Sequence, residues 1–240
     1  MFQIDNIKSK FSFKNFFANK RYLREDYINN PTRFREFGVV IFCGELGSGK
    51  SLSATRLIEK YVNMYPDLIV CSNVKLNCVP KERSVRFIGL DAFQKLDNGD
   101  KGIILYLDEI VNQFPSSLSK DISDDWITFL NLIRKKGCLL IGTGPKFSRL
   151  AKPFRERFDY VCVCNGIFEY CDGHLIQSNY WYRCNLADKI LGDGETETTH
   201  NMDMVKHQIF TISLEDYKRY DSFELVEVVD TSDRRKYKRF

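Results

Sequence analysis

An unbroken apolar run, G-V-V-I-F-C from Gly38 to Cys43, opens directly into G-E-L-G-S-G-K-S from Gly44 to Ser51. The octapeptide meets G-x-x-x-x-G-K-[ST] at every fixed position. The next segment is amphipathic: Leu57, Ile58, Tyr61, Val62 and Tyr65 share one helical face before Pro66 stops the pattern. Strand, glycine-rich turn and helix in that order wrap backbone N–H groups around a point where the helix dipole favours negative charge. The stretch predicts a phosphate-binding loop made of Gly44, Glu45, Leu46, Gly47, Ser48, Gly49, Lys50, Ser51 and Leu52. Lys50 is expected to reach the β- and γ-phosphates as a point charge, and the Ser51 hydroxyl to ligate Mg2+.

Such a site needs an acid at the tip of a neighbouring strand. I-I-L-Y-L, Ile103 to Leu107, followed by Asp108-Glu109, offers it. Asp108 is the expected metal-associated carboxylate, and Glu109 can polarise an attacking water, which separates a hydrolase from a small-molecule kinase. The bland alternative is a strand ending in a solvated acidic pair. Thr143, at the end of the next strand, is placed to bond a γ-phosphate or water, although threonine at a strand end is as often a turn residue. Arg134, Arg149, Arg155 and Arg157 are candidates for an arginine that completes the transition state; spacing alone does not choose among them, and a salt-bridged surface arginine is the commoner meaning.

Strands alternating with helices from Gly38 to Cys164 predict an α/β domain with a mostly parallel sheet and right-handed crossovers. Leu68–Cys71 and Val85–Ile88 read as further strands, and Asp91 as the cap of a short helix through Leu96. Ser123 reads as the N-cap of a helix with Asp124 and Asp125 in its first turn and Trp126, Phe129, Leu130 and Ile133 as its apolar stripe, closed by Gly137. Cys138 to Gly144 is the following strand. Ile167–Tyr170 and Leu175–Tyr182, flanking Cys171-Asp172-Gly173-His174, predict a β-hairpin, and residues 188–201 a mobile loop. The expected organisation is a basic, aromatic arm over 1–36 with a short helix near Phe11–Phe17, a core over 37–165, and a β-rich extension with a basic tail over 166–240.

With 240 residues the chain can bury one full core. No stretch approaches the roughly 20 apolar residues of a membrane span, and the first residues lack a secretory h-region, so a soluble protein in a reducing compartment is expected. Most of its eight cysteines, Cys43, Cys71, Cys138, Cys162 and Cys164, then read as small buried hydrophobes in apolar strand-like runs. Cys162, Cys164, Cys171 and His174 could in principle hold zinc, but their spacing matches no familiar ligand pattern. The net charge of +4 is uninformative; its placement is less so. Eight Lys or Arg among seven phenylalanines in the first 37 residues, and R-R-K-Y-K-R-F at the end, could suit a polyanion or simply be solvated.

The ordered set V-V-I-F-C-G-E-L-G-S-G-K-S, S-N-V at Ser72–Val74, I-L-Y-L-D-E, L-I-R-K-K-G and C-L-L-I-G-T-G resembles the zonula occludens toxin-like ATPases. These include filamentous-phage assembly ATPases and fall within the wider FtsK–HerA group of DNA-pumping motors. The resemblance covers roughly Gly38 to Cys164, with Tyr220-Asp221-Ser222 as a further point of comparison. It implies a RecA-like core assembled into a ring, usually a hexamer, that couples ATP hydrolysis with Mg2+ to movement or packaging of DNA. Implied partners are DNA, further copies of the chain, and capsid or phage assembly proteins; the implied location is the cytoplasm, the host's if the source is viral, or the virion. By the resemblance, Lys50 and Ser51 match the phosphate-binding pair and Asp108 and Glu109 the metal and catalytic acids. Arg134 matches an arginine of an R-x-x-G segment, Thr143 the strand-end threonine, and Arg157 a later arginine before the last core strand. Gly144 departs from it, standing where the group usually has glutamine. The lack of a membrane anchor after the domain favours a packaging-type motor.

Two other classes stay open on the residues. A P-loop nucleoside or small-molecule kinase would use R-L-A-K-P-F-R-E-R, Arg149 to Arg157, as a lid, and a nucleotide-gated assembly protein would use the fold for oligomerisation.

Overall fold

The computed structural model describes residues 13–118, 122–171, 174–184 and 203–220, with backbone alone at 118, 167–171 and 174. It divides at Arg33 into two units. In the first, α1 (Phe13–Asn29) has no buried residue. It runs well beyond the Phe11–Phe17 segment expected. The good helix formers from Lys20 to Glu25 carry it onward, Arg21 Nε meets Glu25 one turn later at 2.8 Å, and Asn30-Pro31 ends it.

The second unit, from Phe34, is a layered α/β fold. Its elements are β1 (Gly38–Cys43), α2 (Lys50–Met64), β2 (Ile69–Ser72), β3 (Ser84–Arg86), α3 (Leu90–Gln94), β4 (Ile103–Leu107), α4 (Ile110–Gln113), α5 (Asp124–Leu132), β5 (Cys138–Gly144), α6 (Lys152–Arg155), β6 (Tyr160–Cys171), β7 (His174–Arg183), β8 (Asp203–Ile212) and α7 (Leu214–Lys218). The eight strands form one sheet in the order β3-β2-β4-β5-β1-β6-β7-β8. Pairing is parallel from β3 to β6, and β7 and β8 join antiparallel.

The central strands β1, β4 and β5 are buried at every position because both faces are covered, and Thr143 is the one polar exception to their otherwise apolar residues. Alternate residues divide between the faces. Val39, Ile41, Ile103, Leu105 and Leu140 pack with Leu90, Phe93, Phe129, Leu130 and Phe154 on one side. Val40, Phe42, Ile104, Tyr106 and Ile141 pack with Ala54, Ile58, Val62 and Tyr65 on the other. Phe34, placed in the arm by its sequence position, is buried in this second layer with its ring edge-on to Tyr65.

Several boundaries differ from expectation. Asp91 lies in the first turn of α3 and Gly89 takes the cap, with φ 145. β3 ends at Arg86 because its pairing with β2 spans only Ser84 to Arg86. Ser123 does precede α5, with Phe129 and Leu130 buried. The hairpin does not begin after a break at Cys164: β6 is continuous, pairing with β1 over Tyr160–Val163 on one edge and with β7 from Tyr160 onward on the other. The loop at 188–201 and the basic tail lie outside the described residues. No helix among the described residues is long and apolar enough to cross a membrane.

Candidate active site

The motif lysine is the first residue of α2, and Gly49 is its cap, with a left-handed backbone at φ 80. That conformation turns the loop sharply enough for the chain to close around its own lysine. Lys50 is buried and donates from Nζ to the carbonyl of Glu45 at 2.9 Å. Glu45, Leu46 and Gly47 are exposed, while Ser48 and Leu52 are buried.

Asp108 does not lie on the strand beside the loop strand. β5 is inserted between β1 and β4, which corrects the expectation of neighbouring strands. The intervening strand brings Thr143 between the two motifs. One carboxylate oxygen of Asp108, Oδ1, accepts from Thr143 Oγ1 at 2.7 Å, Tyr106 OH at 2.8 Å and Ser51 Oγ at 3.0 Å. Tyr106 and Asp108 share a face at the strand period of two, so the tyrosine buried below can support the acid at the tip. Asn73 holds the backbone of Asp108 from both sides: its Oδ1 accepts the Asp108 N–H at 2.8 Å, and its Nδ2 donates to the Asp108 carbonyl at 2.9 Å.

Glu109 is the only non-glycine residue with positive φ among the described residues, at φ 51. Left-handed backbone costs an L-residue about 1–2 kcal/mol. Here it is held by the Glu109 N–H, which donates to Thr143 Oγ1 at 2.8 Å. Thr143 therefore joins both acids. Burial, and then the neighbouring Asp108 charge, raise the Glu109 carboxyl above the usual carboxylate range, and Lys50 opposes them. A raised value makes a stronger base once the proton is off.

The remaining candidates are placed otherwise. Arg134 precedes β5 and Arg157 precedes β6, both exposed, at the end of the sheet where the parallel strands start. The loop follows the opposite end, so neither arginine reaches the loop of its own chain. Gly144 has a packing reason for lacking a side chain, since a Cβ there would approach Val111 Cγ2 to 2.6 Å. Cys162 and Cys164 are buried free thiols, the side chains of Cys171 and His174 lie outside the description, and no metal-binding group of three occurs among the described residues. Tyr220, whose hydroxyl is raised by burial and by the Asp108 charge, comes close to the acid from the far end of the chain; Asp221 and Ser222 are outside the described residues.

The loop is also gripped from the antiparallel side, which the sequence did not reveal. Gln177 and Asn179 on β7 are buried. Gln177 Nε2 donates to the carbonyl of Ser48 and to Asn179 Oδ1, each at 2.9 Å, and Asn179 Nδ2 donates to Ser53 Oγ at 3.0 Å. The available signal was Q-S-N interrupting an otherwise apolar and aromatic strand, L-I-Q-S-N-Y-W-Y.

The donor set suits Mg2+. Ser51 Oγ and Asp108 Oδ1 converge as two hard oxygens, and this cation takes few protein ligands and keeps several waters.

No family model matches the chain, and no curated protein matches its sequence. Among solved structures it is similar to the N-terminal domain of zonular occludens toxin from Neisseria meningitidis, with a TM-score of 0.52 and 14% identity over 78% of this chain and 100% of that one. Weaker superpositions reach the genome packaging NTPase B204 from Sulfolobus turreted icosahedral virus 2 in complex with ATP-gammaS (TM-score 0.42, 15% identity, 52% of this chain and 74% of that one). Another reaches the Legionella pneumophila ATPase DotB (TM-score 0.42, 10% identity, 74% and 54%). The likeness to the toxin domain is one of fold. The chain has the mostly parallel sheet flanked by helices that strand–helix alternation predicts, in the RecA-like P-loop arrangement that the resemblance implies.

Proposed function

We propose that this chain is an ATP-hydrolysing motor that acts on DNA as a ring of identical subunits. The observation that carries the reading is the junction at Asp108 Oδ1, where the loop hydroxyl of Ser51 and the strand-end hydroxyl of Thr143 meet one carboxylate. It ties a phosphate-binding loop to an acid pair in hydrogen-bonding register. Magnesium, when bound, neutralises charge on the β- and γ-phosphates. Lys50 contributes a fixed cation, Ser51 and Asp108 hold the metal, and Glu109 takes the proton from the attacking water. Thr143 keeps the two acids in step.

The ring is supported by where two of the candidate arginines lie. An arginine near the transferring phosphoryl group is worth roughly 10³–10⁵ in rate, and Arg134 and Arg157 both precede their strands, at the end of the sheet opposite their own loop. From that end either would serve the site of an adjacent copy, while Arg149, which follows β5 at the loop's end of the sheet, is the candidate that could serve its own. DNA as the track rests on the motif resemblance, supported by the basic residues of the arm. Host cytoplasm, or a virion-associated state, is the setting in which such a motor would work.

The test is phosphate release from ATP with and without DNA. Release should rise with DNA, and the stimulation should fall as salt is added, as phosphate contacts require. Hydrolysis indifferent to every DNA offered would remove DNA as the partner.

A further inference from the structure

The established parts of a phosphate loop are its N–H groups, which point at the anion. Its carbonyls point outward, and each needs a partner if the loop is to hold that shape before nucleotide arrives. Ser48 is buried, and its carbonyl takes its hydrogen bond from the side chain of Gln177, 129 residues away on β7. The amide that donates is itself fixed: its second contact is Asn179 Oδ1, and Asn179 is locked against Ser53 Oγ, with the reciprocal Ser53 hydroxyl contact at 3.3 Å. Ser53 sits in the first turn of α2, where its N–H bonds the Gly49 carbonyl at 2.9 Å. The relay therefore leaves the loop at Ser48 and returns to the helix that follows it.

Two close approaches show that this fit is specific. A Cβ at residue 49 would strike the Gln177 side-chain oxygen, so glycine there is demanded by Gln177 as well as by φ. At the start of the loop a Cβ at Gly44 would come 2.5 Å from the Cys164 carbonyl oxygen, so the backbone of β6 also lies against the loop.

We propose that Gln177 is a positioning residue for nucleotide binding, and that Asn179 and Ser53 hold its amide so that the phosphate loop is set in its anion-binding shape in advance. The inference rests on the nucleotide-site reading proposed for this chain and extends it to the antiparallel extension of the sheet. Preorganisation of this kind lowers the cost of binding and leaves the chemical step alone.

The test is calorimetric titration of the full chain with ATP and Mg2+, alongside steady-state hydrolysis and urea unfolding. Gln177→Met keeps the length and apolar volume but cannot donate. It should raise the ATP Kd about tenfold, with KM moving in parallel and kcat within twofold of the parent. Asn179→Ala, which frees the amide without removing it, should raise Kd by a smaller factor, and it carries the test if the methionine variant does not fold. Unchanged Kd in a folded variant overturns the proposal, as does a fall in kcat with Kd unchanged. If the parent chain itself binds no ATP, the nucleotide-site reading fails first and this inference falls with it.

Discussion

The two flanks of the phosphate loop are built by different means. On the parallel side, β4 and β5 present Asp108, Glu109 and Thr143 from strand tips, with side chains converging where a reacting phosphate would lie. On the antiparallel side, β6 and β7 run past the loop and hold it through buried amides and close backbone contact. One flank meets the loop with carboxylates that can change protonation or ligate metal; the amides by which the other holds it can only hydrogen bond. The difference teaches a division of labour: chemistry from the parallel flank, shape from the antiparallel one.

Substitutions on each flank put that contrast to the test. The largest effect should come from the loop between the flanks. Lys50→Ala removes its one fixed cation and should lower kcat/KM by about 10²–10³, the range for losing one charge-stabilising contact at a transition state. A folded Lys50→Ala variant that hydrolyses ATP normally would mean the loop is not the site. Next is Thr143→Val, close in volume but without the hydroxyl that serves both Asp108 and Glu109. Leaving such groups unpaired costs about 1–3 kcal/mol, which should appear mainly in kcat, measured by phosphate release. If this variant instead weakens ATP binding while Gln177→Met slows turnover, the division of labour is reversed.

The smallest effect lies farther from the loop. Asp216, in the first turn of α7, accepts from Ser213 N–H and Oγ at 2.6 and 2.8 Å and faces Arg56 at 3.2 Å and Arg219. Burial alone would raise its pKa; the Ser213 hydrogen bonds and the two arginines overcome this and lower it. A depressed folded value means the stabilisation is complete above the ordinary aspartate pKa near 4 and is lost as pH falls through the lower folded value. Asp216→Asn should therefore cost about 1 kcal/mol near neutral pH, as a lost helix cap does. The gap from the parent in urea midpoint should narrow as the solution is acidified, and a constant gap would deny Asp216 this role.

Legibility in the sequence divides along the same line. The strand-tip acids, the loop and the strand-end threonine could be read because their chemistry depends on short local order: an apolar run followed at once by polar residues. Strand order could not be read, since nothing local to β5 says that it inserts between β1 and β4; that depends on which crossovers pack. Gln177 was invisible for the same reason. A glutamine in a strand is ordinary until the register of β6 against β7 brings it beneath a loop 129 positions earlier. α1 outruns its aromatic start because the helix-forming residues from Lys20 to Glu25 continue it.

The central claim is that this loop and this acid pair hydrolyse ATP. The measurement that reaches it most directly pairs ATP binding with phosphate release for the parent chain and Glu109→Gln. The parent should turn over, and Glu109→Gln should bind ATP as well as the parent but release phosphate at least about 100-fold more slowly, the scale of a lost general base. Phosphate release at the parental rate by Glu109→Gln, or a parent chain that binds ATP and never releases phosphate, would contradict it.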